Sequence, residues 1–445
     1  MLSITSASAL DIVYPKQKNV TINSPSTFFI GSAQTNKNLY INNESVNIHF
    51  SGGFAKVVPL KVGENTFTVK SGNEILTYKI TRRATANTIS GSNKVLDYNQ
   101  PKFGTIKNDN TPLRSTPIDF GINRLSHLPI GTELVINGEQ NGFYKVTLGN
   151  KIGYIGKNSV QITDNIIYNA ELLGINYKDN KDYYIYSFDL NKKVPFELEE
   201  NNGLKIHIYN IKGLKHNTFS MEFPSQTMLY GKNLVGYSAE YEGNNLIVKI
   251  RKPLNINLKH PLKGITIAID AGHGGKEYGA IGCLGIKEKD LNLLYAKALE
   301  TELSSRGANI IMTRNDDSYI GLYERSQIAN DENSVVFISI HGNALPDNLD
   351  PTKNHGTEIY YFYNQAEPIA KSIMNEIKKI PQAHDHGIIQ QSFAVVRNTK
   401  ALSLLIEVGY LINPADNYLI TSEDFRKKTV DAIADGLEKY FLSQK

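Results

Sequence analysis

The pattern of apolar residues changes at Pro261, and no single sheet or bundle satisfies both sides of that change. Ahead of it lie short runs such as "VNIHF", "AKVVPLKV", "NTFTVK" and "LTYKITR", with apolar and polar positions alternating between Gly/Asn breaks. Alternation of period two with such breaks predicts antiparallel β-structure. Behind it, "GITIAIDAG" is an apolar run that ends in glycine. "KDLNLLYAKALETELSSRG" follows, with Leu291, Leu294, Ala298, Leu299 and Leu303 at helical spacing and Gly307 as a stop signal. "ANIIMTR", "SVVFISIHGNA", "HGTEIYYF" and "ALSLLIEVGYL" read as further strands. "LYERSQIAND", "PIAKSIMNEIKKI" and "SEDFRKKTVDAIADGLEKYF" read as helices. Strands alternating with helices predict an α/β three-layer domain over residues 263–445, its central strands buried on both faces.

The β-rich part divides further. Residues 10–83 resemble an Ig-like sandwich module. Residues 84–99, "ATANTISGSNKVLDYN", are small and polar and read as a linker. Residues 100–163, with "LRSTP", "LPIGTELVI" and "GFYKVTLGNKIGYI", resemble a bacterial SH3-like module, which implies a role in wall targeting or spacing. Residues 166–260 hold "YYIYSFDL", "LKIHIYNI" and "NLIVKIRKPL" and resemble an AMIN-like β-sandwich. Its tyrosines suit cross-strand packing, with sugar binding as the alternative. The expectation is a multidomain chain of three all-β modules followed by the α/β domain.

Bulk properties narrow the class of function. A net charge of +4 with scattered basic residues argues against nucleic acid and remains compatible with an anionic polymer such as a cell wall. A single cysteine, Cys283, excludes an intrachain disulfide framework. No apolar run reaches the ~20 residues of a membrane helix, so the chain is not expected to span a membrane. Ala7-Ser8-Ala9 resembles a signal-peptidase site but lacks the charged and apolar regions of a full leader. The chain is expected to act as a monomer that is secreted, periplasmic or wall-associated.

In an open α/β sheet, ligands bind at the carboxyl ends of the strands. His273 follows "ITIAID", His341 ends "VVFISIH", Glu407 ends "LSLLIE", and Glu288 opens the first helix. Two histidines and a glutamate can hold a catalytic zinc. A further carboxylate beside them can move a proton. Spacing alone leaves open whether these residues meet, since there is no HExxH helix. The glycine-rich "AIDAGHGGKEYGAIG" is neither GxGxxG nor a P-loop, which argues against a nucleotide.

"IAIDAGHGGKEYGAIG", "GIKEKDLNL", "FISIHGNA", "GTEIYYF" and "LLIEVGYLINPADNYL" occur in order over residues 264–441. Together they resemble the zinc-dependent N-acetylmuramoyl-L-alanine amidases of the amidase 3 type. That resemblance implies Zn2+ held by His273, Glu288 and His341, with Glu407 as the catalytic glutamate. It also implies peptidoglycan as partner and substrate, cut at the amide between muramic acid and L-alanine. A degenerate, wall-binding scaffold and a hydrolase of another amide are the alternatives. Some family members carry a helix that plugs the site; none is expected between His341 and Glu407.

Several residues keep two readings. Asn343 holds substrate or caps a turn, and Arg325 pairs a stem-peptide carboxylate or anchors its helix. Glu277 orients His273 or is a solvated loop charge, and Cys283 is a ligand or a buried apolar residue. His384 and His386 line the cleft or sit in an exposed loop.

Overall fold

The computed structural model of the protein describes residues 10–83, 95–200, 203–223 and 234–444. Ala7-Ser8-Ala9 and residues 84–94 of the expected linker lie outside them. The end of that linker needs correcting. Strand Leu96–Ile106 already includes residues 96–99, with Leu96 opposite Glu139 and Asp97 opposite Gly138. Ladder hydrogen bonds to a neighbouring strand outweigh a small, polar composition here.

The molecule is mostly β, with a separate α/β domain at the C-terminal end. Near the N-terminus, Asp11–Tyr14, Ser26–Ser32 and Gly53–Pro59 form a three-stranded antiparallel sheet. It packs on a five-stranded sheet through Phe29, Phe54, Val69 and Ile80. Residues 96–163 form one seven-stranded sheet, and residues 172–251 form a four-stranded and a three-stranded sheet. These two regions share one unbroken apolar core, from Ile106 and Leu134 to Phe188 and Ile250.

In the C-terminal domain the strands are β1 (Thr266–Ala271), β2 (Asn309–Met312), β3 (Val336–Asn343), β4 (Thr357–Tyr361), β5 (Asp385–Gln390) and β6 (Leu402–Tyr410). The helices are α1 (Glu288–Ser305), α2 (Leu322–Asp331), α3 (Glu367–Ile377), α4 (Pro414–Thr421) and α5 (Glu423–Ser443). Spatial order is β2-β1-β3-β6-β4-β5. The first four strands run parallel, whereas β4 meets β6 antiparallel and carries β5 parallel to itself. Strand β5 replaces the loop expected around "AHDHG"; Gly387 to Gln390 pair with Glu358 to Tyr361.

Alternate residues of the central strands feed the two faces. Ile267, Ile269, Ile338 and Ile406 pack with α1, α3 and α5, while Ala268, Phe337 and Leu405 pack with α2 and Val395. Three layers result, as the alternation of strands and helices predicts.

One charge is carried into the middle of this sheet. Asp270, near the end of β1, is wholly buried. It accepts hydrogen bonds from Arg325 Nη1 at 2.7 Å, Thr313 Oγ1 at 2.6 Å and Ser339 Oγ at 2.6 Å. These tie α2 and the ends of β2 and β3 to β1. Removing one partner of such a pair leaves an uncompensated buried charge. Asp270→Ala is therefore expected to destabilise the C-terminal domain by about 3–5 kcal/mol. Denaturation followed by hydrogen exchange over residues 264–444 measures this, with exchange in residues 96–163 unchanged.

Candidate active site

At the rim where β1, β3 and β6 end, the chain gathers His273, Glu288 and His341. Their ligating atoms all lie within 4.8 Å of one another. Glu288 Oε1 is 3.1 Å from His273 Nε2 and 2.9 Å from His341 Nδ1. Its other oxygen accepts the Ala280 N–H at 2.7 Å. Burial works to raise the Glu288 carboxyl, but the hydrogen bonds from the two histidines outweigh it and hold the group well below the usual carboxylate range. Two nitrogens and one anionic oxygen, with a few ångströms between them, fit a divalent transition metal.

The glycine-rich loop makes this convergence possible. A Cβ on Gly272 would overlap the His341 imidazole, so β1 and β3 approach closely only because that side chain is missing. Gly279, with φ +67°, is equally crowded by Glu288 and by His273 Cδ2. His273 itself has φ +61°, in a region that costs a side-chain-bearing residue energy. Its neighbours hold it there. Arg325 Nη2 donates to the His273 carbonyl at 2.9 Å, and Arg314 Nη2 and Asn292 Nδ2 donate to that of Gly272 at 3.0 and 3.1 Å.

Glu407 sits opposite His341 in the β3–β6 register. Its Oε2 is buried and has no hydrogen-bond partner among the described residues. Burial, then the charges of Glu288 and Glu358, push its carboxyl well above the ordinary range.

Glu358 is a residue the sequence reading missed. It is buried, faces Glu407 across β4 and β6, and accepts hydrogen bonds from Tyr410 Oη at 2.8 Å, Asn343 Nδ2 at 2.7 Å and the Tyr360 hydroxyl. A search of strand carboxyl ends passes it over because β4 runs antiparallel to β6, so its beginning lies at that rim. The signal was the charged residue inside the apolar "GTEIYYF".

The open readings resolve unevenly. Arg325 is 4% exposed and spends its donors on Asp270 and on the carbonyls of Ala271, His273 and Ile320. This geometry matches the helix-anchoring reading of the two. Asn343 points its amide at Glu358 and its oxygen at the Ala344 N–H. Glu277 is exposed, and it is its backbone that pairs with Gly274. Cys283 lies outside the ligand group, packed among Phe28, Ile30 and Ile412, and burial pushes its thiol up to about 12. His386 reaches within 3.6 Å of Glu358, whereas His384 packs its ring edge-on against His355. Helix α3 lies on α5, where Ser372 Oγ donates to the Gly436 carbonyl at 2.7 Å.

Residues 267–439 match the family profile described as "N-acetylmuramoyl-L-alanine amidase". The chain is 37% identical over 201 residues to "Probable cell wall amidase LytH" of Staphylococcus epidermidis, covering 45% of this chain and 65% of that one. It is 35% identical over 189 residues to the protein of the same description from Staphylococcus aureus, covering 42% and 62%. The chain thus spans somewhat less than two thirds of these relatives. Among solved structures, the catalytic domain of CwlV from Bacillus (Paenibacillus) polymyxa is 33% identical, covering 41% of this chain and 99% of that one, with a TM-score of 0.38.

Two outcomes test the geometry. Gly272→Ala should displace the His341 ring and weaken metal binding about 10–100-fold, the range for disturbed ligand orientation; competition with a chromophoric chelator reads it. Glu358→Gln removes a negative neighbour of Glu407, so Glu407 ionises at lower pH. The acid limb of kcat/KM should move to lower pH in that variant, measured as a full pH profile.

Proposed function

From the premise that residues 267–439 form an N-acetylmuramoyl-L-alanine amidase domain, we propose that the chain is a zinc-dependent hydrolase of peptidoglycan. It cuts the amide between N-acetylmuramic acid and L-alanine. The observation that carries this reading is the convergence of His273, Glu288 and His341 beside Glu407, whose buried oxygen lacks a partner. His273, Glu288 and His341 would hold the zinc. Bound there, zinc supplies Lewis-acid chemistry, polarising the scissile carbonyl and acidifying water.

The rest falls to the chain's own groups. Glu407 takes the proton of the attacking water at its free carboxylate oxygen and returns it to the departing alanine amine. A carboxyl raised above the ordinary range holds the proton more firmly than a solvated one, which suits a group that must carry it from water to amine. Burial first, then the charge of Glu288, then that of Glu358 keep it raised, and Glu358 is itself fixed by Tyr360, Tyr410 and Asn343. Arg314, Arg325 and Asn292 orient the loop that carries His273.

Ahead of this domain we assign an Ig-like module to residues 10–83, an SH3-like module to 100–163 extended back to Leu96 by its first strand, and an AMIN-like module to 166–260. A two-sheet sandwich in the first, a single seven-stranded sheet in the second and two sheets sharing a core in the third support these assignments. They target the enzyme to the wall, and the protein works outside the cytoplasm. Among the described residues no helix is long and apolar enough to cross a membrane.

Digestion of purified peptidoglycan tests the reading. Wild type is expected to release peptides with N-terminal alanine and leave intact glycan strands. A chelator should abolish this release and added zinc restore it. Glu407→Ala should lower kcat about 10²–10⁴-fold, the usual worth of a positioned proton-transfer group. Cleavage within the stem peptide would contradict the assignment.

A further inference from the structure

The outer face of the N-terminal sandwich is covered. Along Ser26–Ser32 the residues Phe28 and Ile30 alternate with the core residue Phe29, so they point away from the sandwich. They pack instead with Cys283 and Ile412 of the C-terminal domain. Hydroxyls of Tyr14 and Thr27 both donate to Asp347 Oδ1 at 2.7 Å, and a Cβ on Gly53 would lie 2.7 Å from Cys283 Sγ. Every one of these C-terminal partners lies within six positions of a candidate site residue in sequence. Cys283 precedes Glu288, Asp347 follows His341 and Ile412 follows Glu407.

Between the two docked faces is a pocket of about 390 Å³, large enough for a small ligand or a short peptide. Tyr14, Phe28 and Lys16 line it from the sandwich, and Gly279, Ala280 and Ala344 from the C-terminal domain. It shares a wall with the candidate metal group. The Ala280 N–H binds Glu288, and Gly279 lies against both Glu288 and His273.

We propose that this pocket is the subsite for the stem peptide beyond the scissile amide, so that the N-terminal module forms part of the substrate cleft. This rests on the amidase reading above. A stem peptide offers alanine methyl groups and free carboxylates. The pocket offers apolar walls and one cation, the exposed Lys16. Its one acidic lining group, Asp347, is already engaged by Tyr14 and Thr27. A sugar would bring many hydroxyls to walls with few partners for them.

The test uses the full chain and two substrates, N-acetylmuramoyl-L-alanine and the N-acetylmuramoyl tetrapeptide. Lys16→Glu reverses the charge, and Val13→Trp fills the pocket from its sandwich side. Each should raise KM for the tetrapeptide substrate about five-fold, with kcat and the KM of the short substrate unchanged. Calorimetric titration with the free tetrapeptide reads the subsite without turnover, and should show binding to wild type that both variants weaken. Equal KM changes on both substrates, or no binding of tetrapeptide to wild type, would overturn the proposal. Wild type that binds tetrapeptide but hydrolyses neither substrate would instead overturn the amidase reading and leave the subsite standing.

Discussion

The buried pair of Asp270 and Arg325 is the constraint on which the site depends. A carboxylate deep in a sheet is tolerated only when it is paired and fully hydrogen-bonded. Asp270 meets that condition with Arg325, Thr313 and Ser339. Arg325, drawn in by this charge, has further donors, which it turns on the carbonyls of Ala271 and His273. Arg314 acts on the same stretch through Ala271 and Gly272. Two guanidiniums thus hold a loop whose histidine sits at positive φ, so the strained conformation is maintained by interactions made elsewhere. What the glycines permit, the arginines enforce.

Much of this was legible in the sequence, and the reasons differ from one element to the next. Long apolar periodicity identified α1 and the central strands, because burial on two faces leaves few other patterns. His273, His341 and Glu407 were found because parallel strands deliver their carboxyl ends to one rim. The same reasoning overlooked Glu358. Nothing local in "GTEIYYF" states that β4 runs against β6, and its partners Tyr410 and Asn343 come from other strands. Arg325 keeps two readings, a stem-peptide carboxylate or a neighbouring acid that anchors its helix, because sequence does not say which acid lies near. The acid it meets is the buried Asp270 on another strand. Strand β5 is not legible as a strand because edge pairing with β4 supplies what its own sequence does not.

The β-rich regions carry a related lesson about boundaries. Sequence pattern separates residues 100–163 from 166–260, yet both contribute to one apolar core. The third region is also fastened to the α/β domain. Arg251 donates to the Asn333 side chain at 2.9 Å, to the Ser334 carbonyl at 3.1 Å and to that of Lys400 at 3.2 Å. The Tyr237 N–H donates to the Thr399 carbonyl at 2.9 Å. The third region and the N-terminal sandwich thus each attach directly to the α/β domain, the sandwich at Asp347, a short way along the chain from His341.

The central claim is that His273, Glu288 and His341 hold one zinc ion beside Glu407. Anomalous scattering from crystals of the zinc-loaded protein, measured on both sides of the zinc absorption edge, tests it most directly. The account predicts a single zinc peak within bonding distance of these three side chains. A peak elsewhere in the chain, or none at this group in an enzymatically active crystal, would contradict it.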